Sequence, residues 1–298
     1  MNILTFDIEE WYIEKAYRGG HAERYHLFDT YLNRILDLLE RQGVKATFFC
    51  VGKLATDFPQ VVKLIATKGH EVGCHSHTHL WLNKMSRQEA LDDTRAAVDA
   101  LEQCIGKKVI SYRAPAFSIG ENNKWAFEVL AESGIERDAS VFPASRDFGG
   151  FPQFTSHEPT LVTYQGITLK EFPIPTTKLF GKELAYSGGG YFRFFPLWFI
   201  RSRMKDNAYN MCYFHIGDLL EGAKKVHTKA EYEEYYREPG TLLNRYKRYI
   251  KSSLGRHGVF EKMEQLISSD VFMGLDEADK MIKWDKEPNG LINSVRNS

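Results

Sequence analysis

Four times in its first half the chain alternates a short apolar run with a stretch of helical periodicity. Residues 2–6, Asn2-Ile3-Leu4-Thr5-Phe6, read as a strand. After a polar, Tyr- and Gly-containing loop over residues 12–26, Leu32, Ile35, Leu36 and Leu39 share one helical face before Gly43 stops it. Residues 44–51, rich in Phe and β-branched side chains, predict a buried strand, and Asp57 is placed to cap a helix holding Val61, Val62, Leu64 and Ile65. Residues 70–74 form the third apolar run, and Ser86-Arg87-Gln88-Glu89 has capping-box spacing ahead of Leu91, Val98 and Leu101. Residues 109–112, a helix over 124–132 and a short strand near Ile135 complete the series. Such alternation demands a parallel sheet or barrel, whose functional loops lie at the strand C-termini.

Beyond residue 140 the alternation loosens. Residues 143–160 read as a long loop, 160–164 and 167–173 as a hairpin, and 209–214 as a returning core strand. From residue 228 the sequence is charged, Tyr-rich and helical, over 229–237, 241–253 and 260–268. The division expected is a barrel over 1–225 and a helical extension packed on it over 226–298, with the last ten residues frayed.

Charge excludes some classes of partner. With 39 Lys plus Arg against 39 Asp plus Glu in 298 residues, nothing favours nucleic acid. No apolar run approaches the roughly 20 residues of a membrane span, and the stretch 191–200 is interrupted by Arg193. The first strand leaves no room for a leader ahead of it, and the four cysteines (50, 74, 104 and 212) lack CxxC spacing. Reduced thiols in a cytoplasm are the expectation.

The chemistry-bearing residues fall at the strand ends. His75-Ser76-His77-Thr78-His79 packs three imidazoles into five residues, and His75 and His79, four apart, would share one side of a helical turn while His77 points away. A catalytic zinc-like ion takes about three protein ligands. Asp7, Glu9 and Glu10 follow the first strand and supply the candidates for the third. His215 follows the returning strand, and Arg113, ahead of Pro115, follows the fourth.

Thr5-Phe6-Asp7, His75 to His79, Arg113-Ala114-Pro115-Ala116-Phe117, Asp138-Ala139-Ser140 and the late His215 resemble, in order and spacing, the polysaccharide deacetylase family, also called NodB-homology or carbohydrate esterase family 4. Ser187-Gly188-Gly189-Gly190-Tyr191 and the helical tail resemble the subgroup with an extra C-terminal segment associated with exopolysaccharide or surface-glycan synthesis. The resemblance implies an α/β fold, a distorted (β/α)7-type barrel, and metal-dependent hydrolysis of N- or O-acetyl groups on sugars. It makes Asp7 the general base, His75 and His79 metal ligands, and His215 the acid. Arg113 is expected to orient Asp7, and Asp138 to do the same for His215. Most relatives have a second aspartate where this chain has Ile8, so Glu9 is the first choice for the third ligand and Glu10 the next. The altered third motif leaves Ala116 as the candidate backbone oxyanion donor.

The metal expected is Zn²⁺, with Co²⁺ or Ni²⁺ as alternatives. Trp11, Phe117 and Phe142 are the candidate sugar platforms, each with core packing as the alternative. The implied substrate is an acetylated sugar, as a nucleotide-linked or lipid-linked glycan precursor. Removal of another acyl group such as formyl, and a catalytically inactive glycan-binding barrel, are the competing readings.

Overall fold

The computed structural model describes residues 1–179, 181–222, 225–284 and 290–291. Of the ten terminal residues expected to fray, all but Gly290 and Leu291 lie outside the described residues. The strands are β1 (Asn2–Ile8), β2 (Thr47–Cys50), β3 (Glu71–Cys74), β4 (Ser111–Tyr112), β5 (Arg137–Asp138), β6 (Thr160–Tyr164), β7 (Ile167–Glu171), β8 (Thr176–Leu179), β9 (Lys182–Ala185), β10 (Asn210–His215) and β11 (Gly290–Leu291). Nine of them form one sheet in the order β10-β1-β2-β3-β4-β5-β7-β6-β11, and β8 and β9 pair separately. From β10 to β7 every neighbour is parallel, a run of seven strands; β6 turns back antiparallel on β7 as the predicted hairpin. The sheet is the curled half-barrel of an α/β protein.

The helices are α1 (Glu10–Arg18), α2 (Ala22–Gln42), α3 (Gly52–Asp57), α4 (Pro59–Thr67), α5 (Arg87–Ile105), α6 (Ala126–Glu132), α7 (Gly189–Phe194), α8 (Leu197–Asp206), α9 (Ile216–Leu219), α10 (Lys229–Tyr236), α11 (Leu242–Ser253), α12 (Val259–Ser269) and α13 (Leu275–Met281). Two local expectations are corrected. Residues 12–26 are not a loop: α1 starts directly after β1, and Gly19 and Gly20 break it before α2. Asp57 does not cap the following helix but ends α3, and Phe58 precedes Pro59 at the first position of α4, where a missing N–H costs nothing. The Ser86 capping box forms as expected, with Ser86 Oγ accepting from the Glu89 amide and Glu89 from the Ser86 amide.

Strand alternation positions the site. Leu4, Phe6 and Ile8 of β1, Phe48 and Cys50 of β2, and Cys212 and Phe214 of β10 enter the large core beneath the helices. The alternate residues Ile3, Phe49, Met211 and Tyr213 line a second cluster on the opposite face of the sheet. Thr5 and Asp7 share that inner phase, and the register sets Asp7 directly beside His215. The close approach is tight enough that a Cβ on Gly73 of β3 would lie 2.6 Å from the Phe49 ring. The other end of this face is plugged by the C-terminal segment, where Met273 bridges Ile3 and Leu275 enters the inner cluster.

Candidate active site

The C-terminal ends of β1, β3, β4 and β10 converge on one spot. Glu9 Oε2 lies 2.5 Å from His79 Nε2 and 3.4 Å from His75 Nε2, and the three potential ligand atoms all lie within 4.8 Å of one another. The two imidazoles do not meet through a helical turn, as expected from their spacing. The loop is irregular, and Ser76 and His79 both adopt left-handed backbone (φ 60° and 57°), which folds it back on itself. Non-glycine residues persist there only when surroundings enforce it. Asp93 helps to do so, accepting from the His77 amide (2.7 Å) and from the Thr78 amide and hydroxyl. His77 itself faces a surface cleft lined by Ala55, Lys63 and Cys104.

Several features suit this trio to a cation. His75 Nδ1 sits 2.7 Å from the Arg113 carbonyl, so it carries the proton and donates, leaving the Nε2 lone pair aimed at Glu9. Glu9 Oε2 is buried yet makes no hydrogen bond of acceptable geometry, an orphan acceptor between two imidazole nitrogens. Burial works against its charge, but the imidazoles of His79 and His215 more than offset it and hold the carboxyl well below its usual value. Two nitrogens and one carboxylate oxygen are a donor set that zinc-like ions accept.

Glu10 has a different task. Its Oε1 accepts from the Gly217 amide at 2.5 Å, and burial together with the charge of Glu9 raises its pKa to about 7.

Asp7 is 2% exposed and paired with Arg113, whose side chain is fully buried. Arg113 Nη1 donates to Asp7 Oδ1 (2.9 Å) and Thr5 Oγ1 (2.8 Å), Nε donates to the Ala139 carbonyl (3.2 Å), and the guanidinium lies 4.4 Å over the Phe49 ring. The other Asp7 oxygen faces His215 Nε2 at 3.6 Å.

His215 is not oriented by Asp138, contrary to expectation. Its Nδ1 is 2.8 Å from Asp218 Oδ2, and Asp218 is in turn held by Arg193. Burial opposes the imidazolium, yet the Asp218 hydrogen bond and the charges of Glu9, Asp218 and Asp7 raise the pKa to about 10. Asp138 instead receives the Ser140 hydroxyl and adjoins Glu171, both carboxyls fully buried. Burial raises both, Asp138 to about 6 and Glu171 well above its usual value, the latter also through the charge of Asp138.

The aromatic expectations also change. Trp11 is 1% exposed, edge-on to Phe28, with its indole N–H donated to Asp29: a core residue. Phe117 and Phe142 pack edge-on to each other in the inner cluster under the Arg146 guanidinium, so neither offers an open face. Ala116 is half-buried at φ 56°, in the turn beside Arg113. The aromatic groups that do reach the site were missed. Tyr235 of α10 stacks on His79 (6.0 Å, 18°), and Tyr236 stacks on Phe148, which also meets Trp81. Only the high Tyr content of the tail hinted at this, and nothing local placed it at the metal site.

Residues 3–137 match the family model for polysaccharide deacetylase, and residues 139–279 match a second model described as a domain of unknown function, DUF3473. Residues 3–137 are thus a polysaccharide deacetylase domain, followed by the second domain over 139–279. A peptidoglycan-N-acetylglucosamine deacetylase of Bacillus cereus is 38% identical over 96 residues, 32% of this chain and 35% of the relative's length. The peptidoglycan-N-acetylglucosamine deacetylase PgdA of Listeria monocytogenes serotype 1/2a is 47% identical over 101 residues, 34% of this chain and 20% of its own. The chain thus spans well under two thirds of these curated deacetylases. A Mycobacterium smegmatis protein named for a polysaccharide deacetylase shares the fold, with a TM-score of 0.60 and 18% identity over 94% of this chain and 89% of that one.

Proposed function

We propose that this protein is a metal-dependent hydrolase that removes an N-acetyl group from an amino sugar in a glycan or glycan precursor. The observation that carries the reading is the orphan carboxylate oxygen of Glu9 between His75 Nε2 and His79 Nε2, with Asp7 and His215 paired beside it. A divalent ion held by Glu9, His75 and His79 would polarise the acetyl carbonyl and acidify water, the two things an unreactive amide needs.

The remaining work falls to side chains in place. Asp7, held in place by the Arg113 guanidinium, accepts the proton of the attacking water. His215, made an imidazolium by Asp218, delivers a proton to the departing sugar amine, without which the tetrahedral adduct returns to substrate. Tyr235 and Tyr236, brought to the site by α10 and backed by Phe148 and Trp81, are the aromatic side chains against which an apolar pyranose face can lie. Four unpaired cysteines fit a reducing compartment, so the proposed substrate is a cytoplasmic nucleotide-linked or lipid-linked sugar. The chain's partial match to its peptidoglycan-acting relatives leaves the sugar to be found by experiment.

Acetate release from a panel of N-acetylated sugars and lipid-linked or nucleotide-linked derivatives tests the reading. Turnover should require added Zn²⁺, Co²⁺ or Ni²⁺ and disappear in Asp7→Asn with metal still bound. Sugar binding with no acyl release from any substrate would instead make the chain a glycan-binding barrel, and formate release would move the activity to another acyl group.

A further inference from the structure

Helix α11 is inverted relative to an ordinary surface helix. Leu243, Tyr246, Ile250 and, just past its end, Leu254 fall within about 80° of arc at 3.6 residues per turn, and all point to solvent, Leu243 at 77% exposure. The opposite, basic side is the one that holds the helix on the protein. The Arg245 guanidinium donates to the His227 carbonyl and Arg248 covers the Phe148 ring at 3.6 Å, while Lys247 and Lys251, between this side and the apolar face, flank Asp147. Not one residue of α11 is buried.

The apolar face does not end with the helix. Gly255 packs against the backbone of Arg193, which also donates to the Lys251 carbonyl, so Leu254 lies beside α7 with its exposed Phe194; Trp198, at the start of the next helix α8, is equally exposed (72% each). Isolated exposed leucines need no explanation, but a contiguous aromatic and aliphatic surface does.

We propose that this surface, α11 with Phe194 and Trp198, docks on an anionic lipid interface. Charge selects that occupant. The stretch Thr241 to Gly258 holds no Asp or Glu; Arg245, Arg248 and Arg256 are turned to the protein, and Lys247 and Lys251 are the charges beside the apolar face. A second copy meeting the same face by two-fold symmetry would oppose like charges, whereas anionic headgroups complement them. Lys247 and Lys251, both about half exposed, border the apolar face and can reach headgroups while the leucines enter the acyl boundary. Trp and Tyr suit the headgroup level. No described helix is long and apolar enough to cross a membrane, so attachment through this face is peripheral. The docked face adjoins the site mouth: Arg248 and Tyr236 share Phe148, and Tyr236 adjoins Tyr235 on His79. The inference does not depend on the hydrolytic reading.

The test is flotation of the full chain with vesicles of phosphatidylcholine alone and of phosphatidylcholine mixed equally with phosphatidylglycerol. Wild type should float with the anionic vesicles, less so as salt rises, and Trp emission should shift to the blue in wild type but not in Trp198→Phe. Leu243→Glu combined with Ile250→Glu should lower partition at least about tenfold, since two apolar insertions are lost. Its circular dichroism and melting temperature should not change, because neither residue packs on the fold. Failure to float with any vesicle, or equal partition of the double variant, overturns the proposal. So does a wild-type dimer that the double variant dissociates in the absence of vesicle binding.

Discussion

Replacing Arg113 by Met tests whether the buried cation is energetically coupled to Asp7. Met keeps much of the stem's volume over Phe49, so the change removes mainly charge and donors. Asp7, 2% exposed, loses its 2.9 Å partner and keeps only the longer approach of His215 at 3.6 Å. Stranding one member of a buried pair costs about 3 to 5 kcal/mol. Asp7→Asn removes the negative charge first, so Arg113→Met on that background should cost less, by the roughly 1.5 to 3 kcal/mol of a charged hydrogen bond. The assay is urea unfolding of wild type, both single variants and the double variant with chelator in excess, so that metal loss does not enter; midpoints are compared at constant slope. A coupling below about 0.5 kcal/mol, the ordinary additivity error, would refute the reasoning and make Arg113 a structural donor to Thr5 and Ala139 that merely passes Asp7.

Asp218→Asn removes the anion that charges His215, so the alkaline limb of the pH–rate profile should move to lower pH with little change in KM; an unmoved limb argues against the acid role. His70 accepts the Ala46 amide through Nδ1, and burial with the charges of Lys45 and Lys68 lowers its pKa to about 4. The unfolded state, with pKa about 6.5, therefore binds more protons as pH falls from 6.5 to 4, and stability drops in that window by about 2 kcal/mol after allowance for solvent screening. In His70→Gln, denaturant midpoints across that window should lose this slope. Ser86→Ala removes the α5 capping box and should cost about 1 kcal/mol by thermal unfolding, leaving acetate release unchanged.

The strand-end geometry was legible because β strands repeat every two residues: once Leu4 and Phe6 face the helices, Asp7 must face inward, and the same phase in β10 carries His215. The alternation gave a parallel sheet or barrel; the count of seven strands, implied by the family resemblance, matches the parallel run from β10 to β7. Side-chain partnership was less legible. Asp138 sits on a strand end like the others, but β5 directs it to Ser140 and Glu171, whereas Asp218, three residues past His215 on the short α9, reaches the imidazole. Trp11 was misplaced because α1 begins immediately at Glu10, turning the next residue into the core rather than the mouth. Tyr235 arrives from more than 150 residues beyond His79, a tertiary contact no local pattern encodes.

Anomalous diffraction at the metal edge from crystals grown with Zn²⁺ tests the central claim most directly. The account predicts one peak per chain, bonded to Glu9 Oε2, His75 Nε2 and His79 Nε2 at about 2.0 to 2.2 Å, with Glu10 still on the Gly217 amide. A site without density, or an ion bound by Glu10 or away from the two imidazoles, would contradict it.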